Sequence, residues 1–370
     1  MPSLAIEPWG NYSLALAASV ECMRVTPWTR TCTTPEILQL GVDAAPEFSC
    51  VSFKAATGHF IKAAMEGVEY GVMVNSQGTC RLRYYRMLQQ KLLKERGFNL
   101  FIFGLGYDGI KPPIIRHFNP TISSFLRCCF RARLKVLTID ELEVAAWSRR
   151  ALELNAGDTT RVMDACIRDL DRARTVPEIR AFRKSIRDRF SAVPVDTGRR
   201  PLRVGLLGEA TVLRDKCINH DIEETLGGLG VEVRNFFLLG AEMRNIFKIG
   251  LWSKNGRRAL RKLARPYLGT PVGGHAMDSI AHTIRCAQEG YDGVIHVAPS
   301  GCMPEISVRP ILRRISQDMD FPVYECSFDE HTSHVGTVTR LEAFVDVLQE
   351  RRKKGRAAPM DEPKGMKHAW

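Results

Sequence analysis

The sequence predicts an α/β protein made of two Rossmann- or flavodoxin-like parallel-sheet domains with a helical insertion between them. In both halves of the chain, short apolar runs typical of buried strands alternate with amphipathic helical patterns. Residues 121–198 differ, because they are rich in arginine, carry apolar residues at helical spacing and contain no long strand-like run. We therefore expect an N-terminal domain at 1–120, the insertion at 121–198, a C-terminal domain at 199–350 and a flexible basic tail at 351–370.

The first half shows its alternation clearly from residue 47 onward. Residues 60–67 have a helical pattern, 70–74 form an apolar strand-like run, 83–97 form an amphipathic helix that ends at a glycine, and 99–103 form a second apolar run. This order is typical of strands joined by crossover helices, which gives a parallel sheet.

Two helix starts are expected in the insertion, at 138–140 and at 175–178, where Thr precedes acidic or Pro-Glu residues. Residues 194–201, bounded by prolines, read as a linker. Beyond it the expected strands of the second sheet lie at 202–207, 231–237, 293–297 and 322–326.

The two α/β halves share a series of short motifs, which indicates a duplication. The first copy carries Gly58-His59, Glu66-Gly67, Gly71-Val72, Gly78 and Cys80, and the second carries Gly274-His275, Glu289-Gly290, Gly293-Val294, Gly301 and Cys302. The His-to-Glu spacing is longer in the second copy, so we expect its helix to be about two turns longer. A repeat of whole domains also favours a functional site between the copies.

The charge and the ends of the sequence restrict the class of protein. The net charge is +12, from 53 basic and 41 acidic residues, and seven of the basic residues lie in 351–370. The basic stretches have no interleaved aromatics, so we do not expect nucleic acid as a partner, whereas an acidic cofactor or a protein partner explains the charge equally well. No apolar run is long enough to span a membrane and no signal peptide is evident. We expect a cytoplasmic protein with reduced thiols.

Eleven cysteines are present, and no Cys-x-x-Cys occurs, so their positions must be judged singly. Cys80 and Cys302 each follow a predicted strand and precede a helix, where open α/β sheets bind ligands, and Cys50 precedes a helical stretch. A helix N-terminus stabilises a thiolate. Gly78 and Gly301, just before two of these cysteines, allow the backbone to approach a bulky group.

Three thiolates without a nearby fourth suit a cubane iron–sulfur cluster with one open iron. The alternative for any single cysteine is a small buried apolar residue, and that reading is preferred for Cys22, Cys166, Cys217 and Cys286. Cys32 shows no partner, Cys128 and Cys129 look structural, and Cys326 is ambiguous.

Two other positions carry ionisable residues that could take part in catalysis or ligand binding. Asp329, Glu330 and His331 follow a predicted strand and form either an active-site loop or a polar helix start with capping acids. Glu305 is either an acid or distal cluster ligand, or a first-turn acid that complements the helix dipole. No Gly-Lys pair exists, so a P-loop is absent and ATP, if used, is hydrolysed by another chain.

Several motifs in this order resemble the 2-hydroxyacyl-CoA dehydratase superfamily. They are PEFSCVSFK, GTCRLRYYRMLQ, GGHAMDSIAHTIR, GYDGVIHVAPSGCMPE and DEHTSHVGTVTRLEAFVDVL, and the resemblance runs from Gly10 to Asp346. The most similar branch contains iron–sulfur proteins associated with CoA-enzyme activases, including double-cubane cluster proteins.

The resemblance implies that Cys50, Cys80 and Cys302 hold an iron–sulfur cluster, either 4Fe-4S or a double cubane. It also implies a partner, an actin-like ATPase activase that carries its own iron–sulfur cluster and delivers low-potential electrons. In the dehydratases such an electron makes a ketyl radical from a 2-hydroxyacyl-CoA, which then loses water. A homo- or hetero-oligomer with a related subunit is expected.

On this hypothesis the chain is an iron–sulfur lyase (dehydratase) or an ATP-dependent reductase component acting on a small, possibly CoA-linked substrate. Arg81, His275 and Glu305 are the first candidates for substrate contacts or for support of the cluster ligands, and Asp329, Glu330 and His331 belong to the same cleft. The alternative is a non-catalytic electron-transfer or assembly subunit of a larger activase-dependent complex.

Overall fold

The computed structural model describes residues 1–74, 80–105, 113–246 and 256–355. Eight strands lie in these ranges: β1 (Ser3–Ile6), β2 (Thr26–Thr29), β3 (Tyr70–Val74), β4 (Phe101–Leu105), β5 (Leu202–Gly208), β6 (Val231–Asn235), β7 (Gly293–Pro299) and β8 (Val323–Phe328). They form two four-stranded sheets, ordered β2-β1-β3-β4 and β6-β5-β7-β8, in which every pairing is parallel. The predicted α/β class with two parallel sheets is confirmed.

Helices cover both sheets and fill the region between them. The helices in the described ranges are α1 (Ser13–Val20), α2 (Pro35–Ala44), α3 (Val51–Met65), α4 (Leu82–Glu95), α5 (Pro113–Phe118), α6 (Ile122–Arg150), α7 (Asp158–Arg172), α8 (Val176–Ser191), α9 (Ala210–Arg214), α10 (Lys216–Asn219), α11 (Ile222–Gly228), α12 (Leu239–Ile246), α13 (Arg257–Ala264), α14 (Ala276–Gln288), α15 (Met303–Asp318) and α16 (His334–Lys353). β7, buried along its whole length, shows why these strands read as continuous apolar runs: helices exclude water from both faces of the sheet.

The first two strands were not predicted from the sequence. β1 and β2 have four residues each, too few for a clear pattern, and β2 contains Pro27. Proline is tolerated there because β2 is an edge strand that pairs only with β1 in the described sheet. β1 nevertheless lies inside its sheet, between β2 and β3, and its carboxyl end lies at the same edge of the sheet as the carboxyl ends of these two strands.

The insertion consists of α6, α7 and α8, which pack around a common apolar core. The helix start expected at 175–178 is confirmed, with a capping box between Thr175 and Glu178. The start expected at 138–140 is wrong, because α6 runs through it without a break. Thr138 Oγ1 donates to the Leu134 carbonyl at 2.8 Å, and the Asp140 carboxylate accepts from Tyr12 Oη at 2.7 Å, so neither side chain caps a helix.

The identical strand order of the sheets supports the duplication, but the expected difference in helix length is wrong. α3 has 15 residues and α14 has 13. Gly58 lies in the middle of α3, where a Cβ would be 1.8 Å from the Ile37 carbonyl oxygen, so this glycine permits close packing of α2. Gly274, by contrast, precedes α14. By position in the fold, the counterpart of His275, the N-cap of α14, is Cys50, the N-cap of α3.

α3 belongs to the first domain but is buried against the second. Its Val51 and Ala55 share an apolar core with Val212 and Phe328. Lys54, only 2% exposed, forms an ion pair with Glu330 of the second domain. The helix that carries Cys50 therefore contacts residues of both domains.

The last helix extends into the region expected to be a flexible tail. α16 continues to Lys353, and the Arg352 guanidinium binds Asp292 at 2.7 Å and the Pro201 carbonyl at 3.0 Å. The start of the basic stretch is thus anchored to the second domain, whereas 356–370 lie outside the described residues.

Candidate functional site

Each of the three cysteines selected from the sequence lies at the start of a helix. Cys50 and Cys302 are the N-caps of α3 and α15 and are 7% and 8% exposed. Cys80 is half-buried and lies two residues before α4. Cys80 lies nine positions after Gly71 and Cys302 nine positions after Gly293, so the two cysteines hold equivalent places relative to these glycines in the third strand of each sheet.

One guanidinium group ties the three cysteine segments together. Arg81, next to Cys80, donates from Nη2 to the Gly301 carbonyl at 2.6 Å and from Nη1 to the Phe48 carbonyl at 3.3 Å. Gly301 precedes Cys302, and Phe48 lies two residues before Cys50. The three helix starts therefore converge at the boundary between the domains.

Gly301 has a backbone φ of +77°, a left-handed conformation that favours glycine. This turn directs the Gly301 carbonyl to Arg81. The other glycine predicted to admit a cofactor, Gly78, lies outside the described residues.

The environment of the thiols is electrostatically unusual. Burial raises the pKa of the Cys50 thiol, opposed by a hydrogen-bonding contact with Tyr85 Oη at 3.1 Å and by the Arg81 charge. Burial also raises the pKa of Cys302 well above its usual range, with further contributions from Glu209, Glu305 and the Cys50 thiol. Both thiols therefore keep their protons unless a bound cation replaces them.

Glu209 lies beside the candidate site and was missed by sequence reasoning. It follows β5 directly, its carboxylate accepts hydrogen bonds from Ser52 Oγ and from the Val212 amide, both at 3.0 Å, and its charge acts on Cys50 and Cys302. Its position at the end of the first strand of a parallel sheet is the signal that could have identified it.

Glu7 occupies the corresponding place directly after β1. Although the residue as a whole is only partly covered, its carboxyl group is desolvated, and this raises its pKa to about 8. Contacts with Trp9 and with the Val74 backbone oppose the rise, and the Glu209 charge adds to it. Glu7 is consequently a proton-carrying acid near neutral pH.

Replacing Glu7 by glutamine should change how stability depends on pH. The folded-state pKa lies above the ordinary value of 4.5, so the stabilisation is complete below pH 4.5 and is lost as the pH rises through 8. We expect Glu7→Gln to match the wild type at pH 4.5 and to exceed its free energy of unfolding by about 1–2 kcal/mol at pH 9. Urea titrations at both pH values measure this.

The matched control is Glu95→Gln, which alters a carboxylate that is 54% exposed and should leave the pH dependence unchanged. An identical fall in stability between pH 4.5 and 9 for Glu7→Gln and the wild type would contradict the assignment.

Glu305 lies beneath the cysteine segment rather than in an open cleft. It is 1% exposed, and its Oε2 accepts from Ser279 Oγ at 2.9 Å and contacts His296 Nε2 at 2.8 Å. Its Oε1 has no hydrogen-bond partner within the part of the chain that the structure describes. Glu305 therefore orients the first turn of α15 and places negative charge near Cys302 and His275.

His275 lies beside acidic side chains of the second domain, with its side chain 26% exposed. Its Nδ1 is 3.6 Å from Asp278 Oδ2, and one ring edge packs on Phe237. Burial lowers the pKa of the His275 imidazole, but Asp278, Glu242 and Glu305 outweigh it and raise the value to about 9.

The loop after β8 is only partly directed at the cysteines. Asp329 Oδ2 accepts from Ser300 Oγ at 3.1 Å, which places it against the turn that precedes Cys302. Glu330 forms an ion pair with Lys54, whereas the His331 side chain is 86% exposed and lies outside α16. Of the three, Asp329 has the contact nearest the candidate site.

Two other cysteines, Cys32 and Cys217, meet across the domain boundary. The Thr33 amide and the Cys217 amide both donate to Asp215, which brings the two thiols together. A hydrogen bond from Cys217 lowers the pKa of Cys32 and correspondingly raises that of Cys217. The expectation that Cys32 has no partner is wrong, and Cys217 is exposed rather than buried.

Iodoacetamide should alkylate Cys32 several-fold faster than Cys217, although Cys217 is the more exposed residue, because the thiolate is the nucleophile. Mass spectrometry of peptides from briefly labelled native protein measures both rates. Cys217→Ser should slow labelling of Cys32, whereas Cys129→Ser should not. Faster labelling of Cys217 would overturn the assigned proton position.

A basic cleft of about 560 Å³ lies at the opposite edge of the second sheet. Arg199, Arg200, Arg352 and Lys353 contribute to its lining, near the first residue of β5. The cysteines lie at the other ends of the strands, so the cleft is separate from the candidate site.

Within the described ranges, no helix has the length and apolar character needed to cross a membrane. A scan against protein-family models found no match, and a search of the curated proteins found none either.

Proposed function

We propose that this chain is an iron–sulfur protein of the 2-hydroxyacyl-CoA dehydratase type, with Cys50, Cys80 and Cys302 as the cluster ligands. The single observation that carries the proposal is the Arg81 guanidinium, which binds the Phe48 and Gly301 carbonyls and so joins all three cysteine segments. Three soft donors at helix N-termini form a set suited to iron and sulfide.

The protein would act in the cytoplasm, receiving low-potential electrons from an ATP-dependent, actin-like activase that carries its own cluster. When bound, the 4Fe-4S or double-cubane cluster would supply the electron that reduces or dehydrates a small, possibly CoA-linked substrate. The chain's own residues would hold this group and control its surroundings.

The residues around the thiols have definable tasks. Arg81 fixes the spacing of the three segments, and its charge favours the Cys50 thiolate. Glu7, at the end of β1, is protonated near neutral pH and close enough to Glu209 to be affected by its charge, so Glu7 is placed to give or take a proton. The buried α3 excludes water from one side of the site.

Anaerobic purification followed by iron and sulfide analysis tests the ligand assignment. We expect Cys50→Ser, Cys80→Ser and Cys302→Ser each to lose most of the iron. Cys166→Ser and Cys286→Ser, which alter fully buried cysteines elsewhere, should retain it. Full iron in the first three variants, or no iron in the wild type, would refute the proposal.

A second measurement separates an enzyme from an electron carrier. After reduction by an activase with ATP, adding a 2-hydroxyacyl-CoA should change the electron paramagnetic resonance spectrum of an enzyme. An unchanged spectrum, together with electron transfer to a related subunit, would favour the non-catalytic alternative.

A further inference from the structure

A second group of residues with side chains that can bind a metal lies on α12 and at the start of α14. His275, Asp278 and Glu242 each place one donor atom so that the three atoms lie within 4.8 Å of one another. His275 and Asp278 are three residues apart at the start of α14, so they share one face, and Glu242 comes from α12. All three side chains are partly exposed, which leaves the group accessible from solvent.

The spacing of these donors is also compatible with an ion held between them. His275 Nδ1 and Asp278 Oδ2 are 3.6 Å apart, too far for a good hydrogen bond. Two ligands at about 2.1 Å from a tetrahedral metal would be separated by about 3.4 Å. A small rotation of either side chain therefore brings both atoms to coordination distance.

The surrounding charge supports a cation despite the nearby helix N-terminus. The dipole of α14 disfavours positive charge at its start. Two carboxylates in the group outweigh it, and Glu305, 1% exposed with Oε1 unpartnered among the described residues, adds a third negative charge that acts on His275. A Cβ at Gly274 would lie 3.1 Å from the Pro304 side chain, so this group adjoins the start of α15.

We propose that Glu242, His275 and Asp278 bind a mononuclear divalent transition metal, of the Mn²⁺-to-Zn²⁺ class, with coordination positions open to solvent. One imidazole nitrogen and two carboxylate oxygens suit these ions, whereas Cu(I) and iron–sulfur clusters prefer thiolates. None of the three donors is a cysteine, and the proposal does not depend on the function proposed above.

Titration of the anaerobically purified protein with Mn²⁺ tests the site, because free Mn²⁺ gives an electron paramagnetic resonance signal that disappears on binding. Manganese also discriminates against the thiols, since soft ligands bind it poorly. We expect one Mn²⁺ per chain. His275→Gln and Asp278→Asn should each weaken binding by at least about tenfold. Glu289→Gln, which alters the carboxylate at the other end of α14, should leave binding unchanged.

Thermal unfolding provides a readout that does not depend on activity. Saturating Mn²⁺ should raise the melting temperature of the wild type by at least about 2 °C and that of His275→Gln by less. No saturable binding below millimolar Mn²⁺, or equal binding by wild type and His275→Gln, would overturn the proposal. Lower stability of His275→Gln without any effect of metal would identify the group as an ion pair instead.

Discussion

Replacing Arg214 by methionine should lower the free energy of unfolding by about 3–5 kcal/mol, because it removes a buried cation and leaves its acidic partners without one. Arg214 is 6% exposed, with its guanidinium 2.9 Å from Glu223 and 3.7 Å from Glu143. Asp140 and Tyr12 lie close enough to act on the charge, and Glu143 also accepts from Asn11. Arg214 thus joins the second domain, the insertion and the N-terminal segment.

Urea unfolding of Arg214→Met beside the wild type at pH 7.5 measures the loss. Lys216→Met is the matched control: its side chain is 38% exposed and pairs with Glu224 at 2.8 Å, so the expected loss is below about 1 kcal/mol. Equal losses for the two variants would contradict the role given to Arg214.

Replacing Arg81 by methionine should remove at least half of the bound iron while changing the free energy of unfolding by less than about 1 kcal/mol. Arg81 is exposed, so its loss leaves no buried partner unpaired. Its two hydrogen bonds set the separation of the cysteine segments, and its charge favours the Cys50 thiolate. Iron and sulfide analysis beside urea unfolding separates these effects.

The control is Arg83→Met on the same helix, whose guanidinium lies 5.8 Å from the ring centroid of Tyr84. It should keep the iron content of the wild type. Full iron in Arg81→Met would show that the cysteine segments do not need this bridge, and equal loss in both variants would point to a general effect of positive charge.

Most of the secondary structure follows from local patterns. The runs at β3, β5 and β7 are apolar because helices cover both faces of each sheet, and the Thr175 capping box marks a helix start within four residues. The helix start predicted at Thr138 was wrong because a threonine hydroxyl can form a local hydrogen bond inside a helix as well as at its start. Here it donates to the carbonyl four residues earlier. β1 and β2 are too short for any local signal.

The candidate site was only partly predictable. Cys80 and Cys302 could be selected as candidates because strand ends in parallel sheets meet at one edge, a property of topology that can be read from the order of elements. The surroundings of Glu305 could not be predicted. Its spacing indicates an acid in the first turn of a helix, but not that its carboxylate is buried against His296 and Ser279. Glu209 was missed because it resembles any solvated acid until the fold places it beside two thiols.

The alternation of apolar runs, a local property of the sequence, determined the α/β class. The shared short motifs indicated the duplication, and the cysteine positions selected three thiols as candidates. Only the tertiary structure brought Arg81 to the Gly301 carbonyl, Lys54 to Glu330 and Cys32 to Cys217. These contacts join residues far apart in the chain, and their energies depend on burial and on the distance between charges. Neither quantity exists until the two sheets pack against α3 and the insertion.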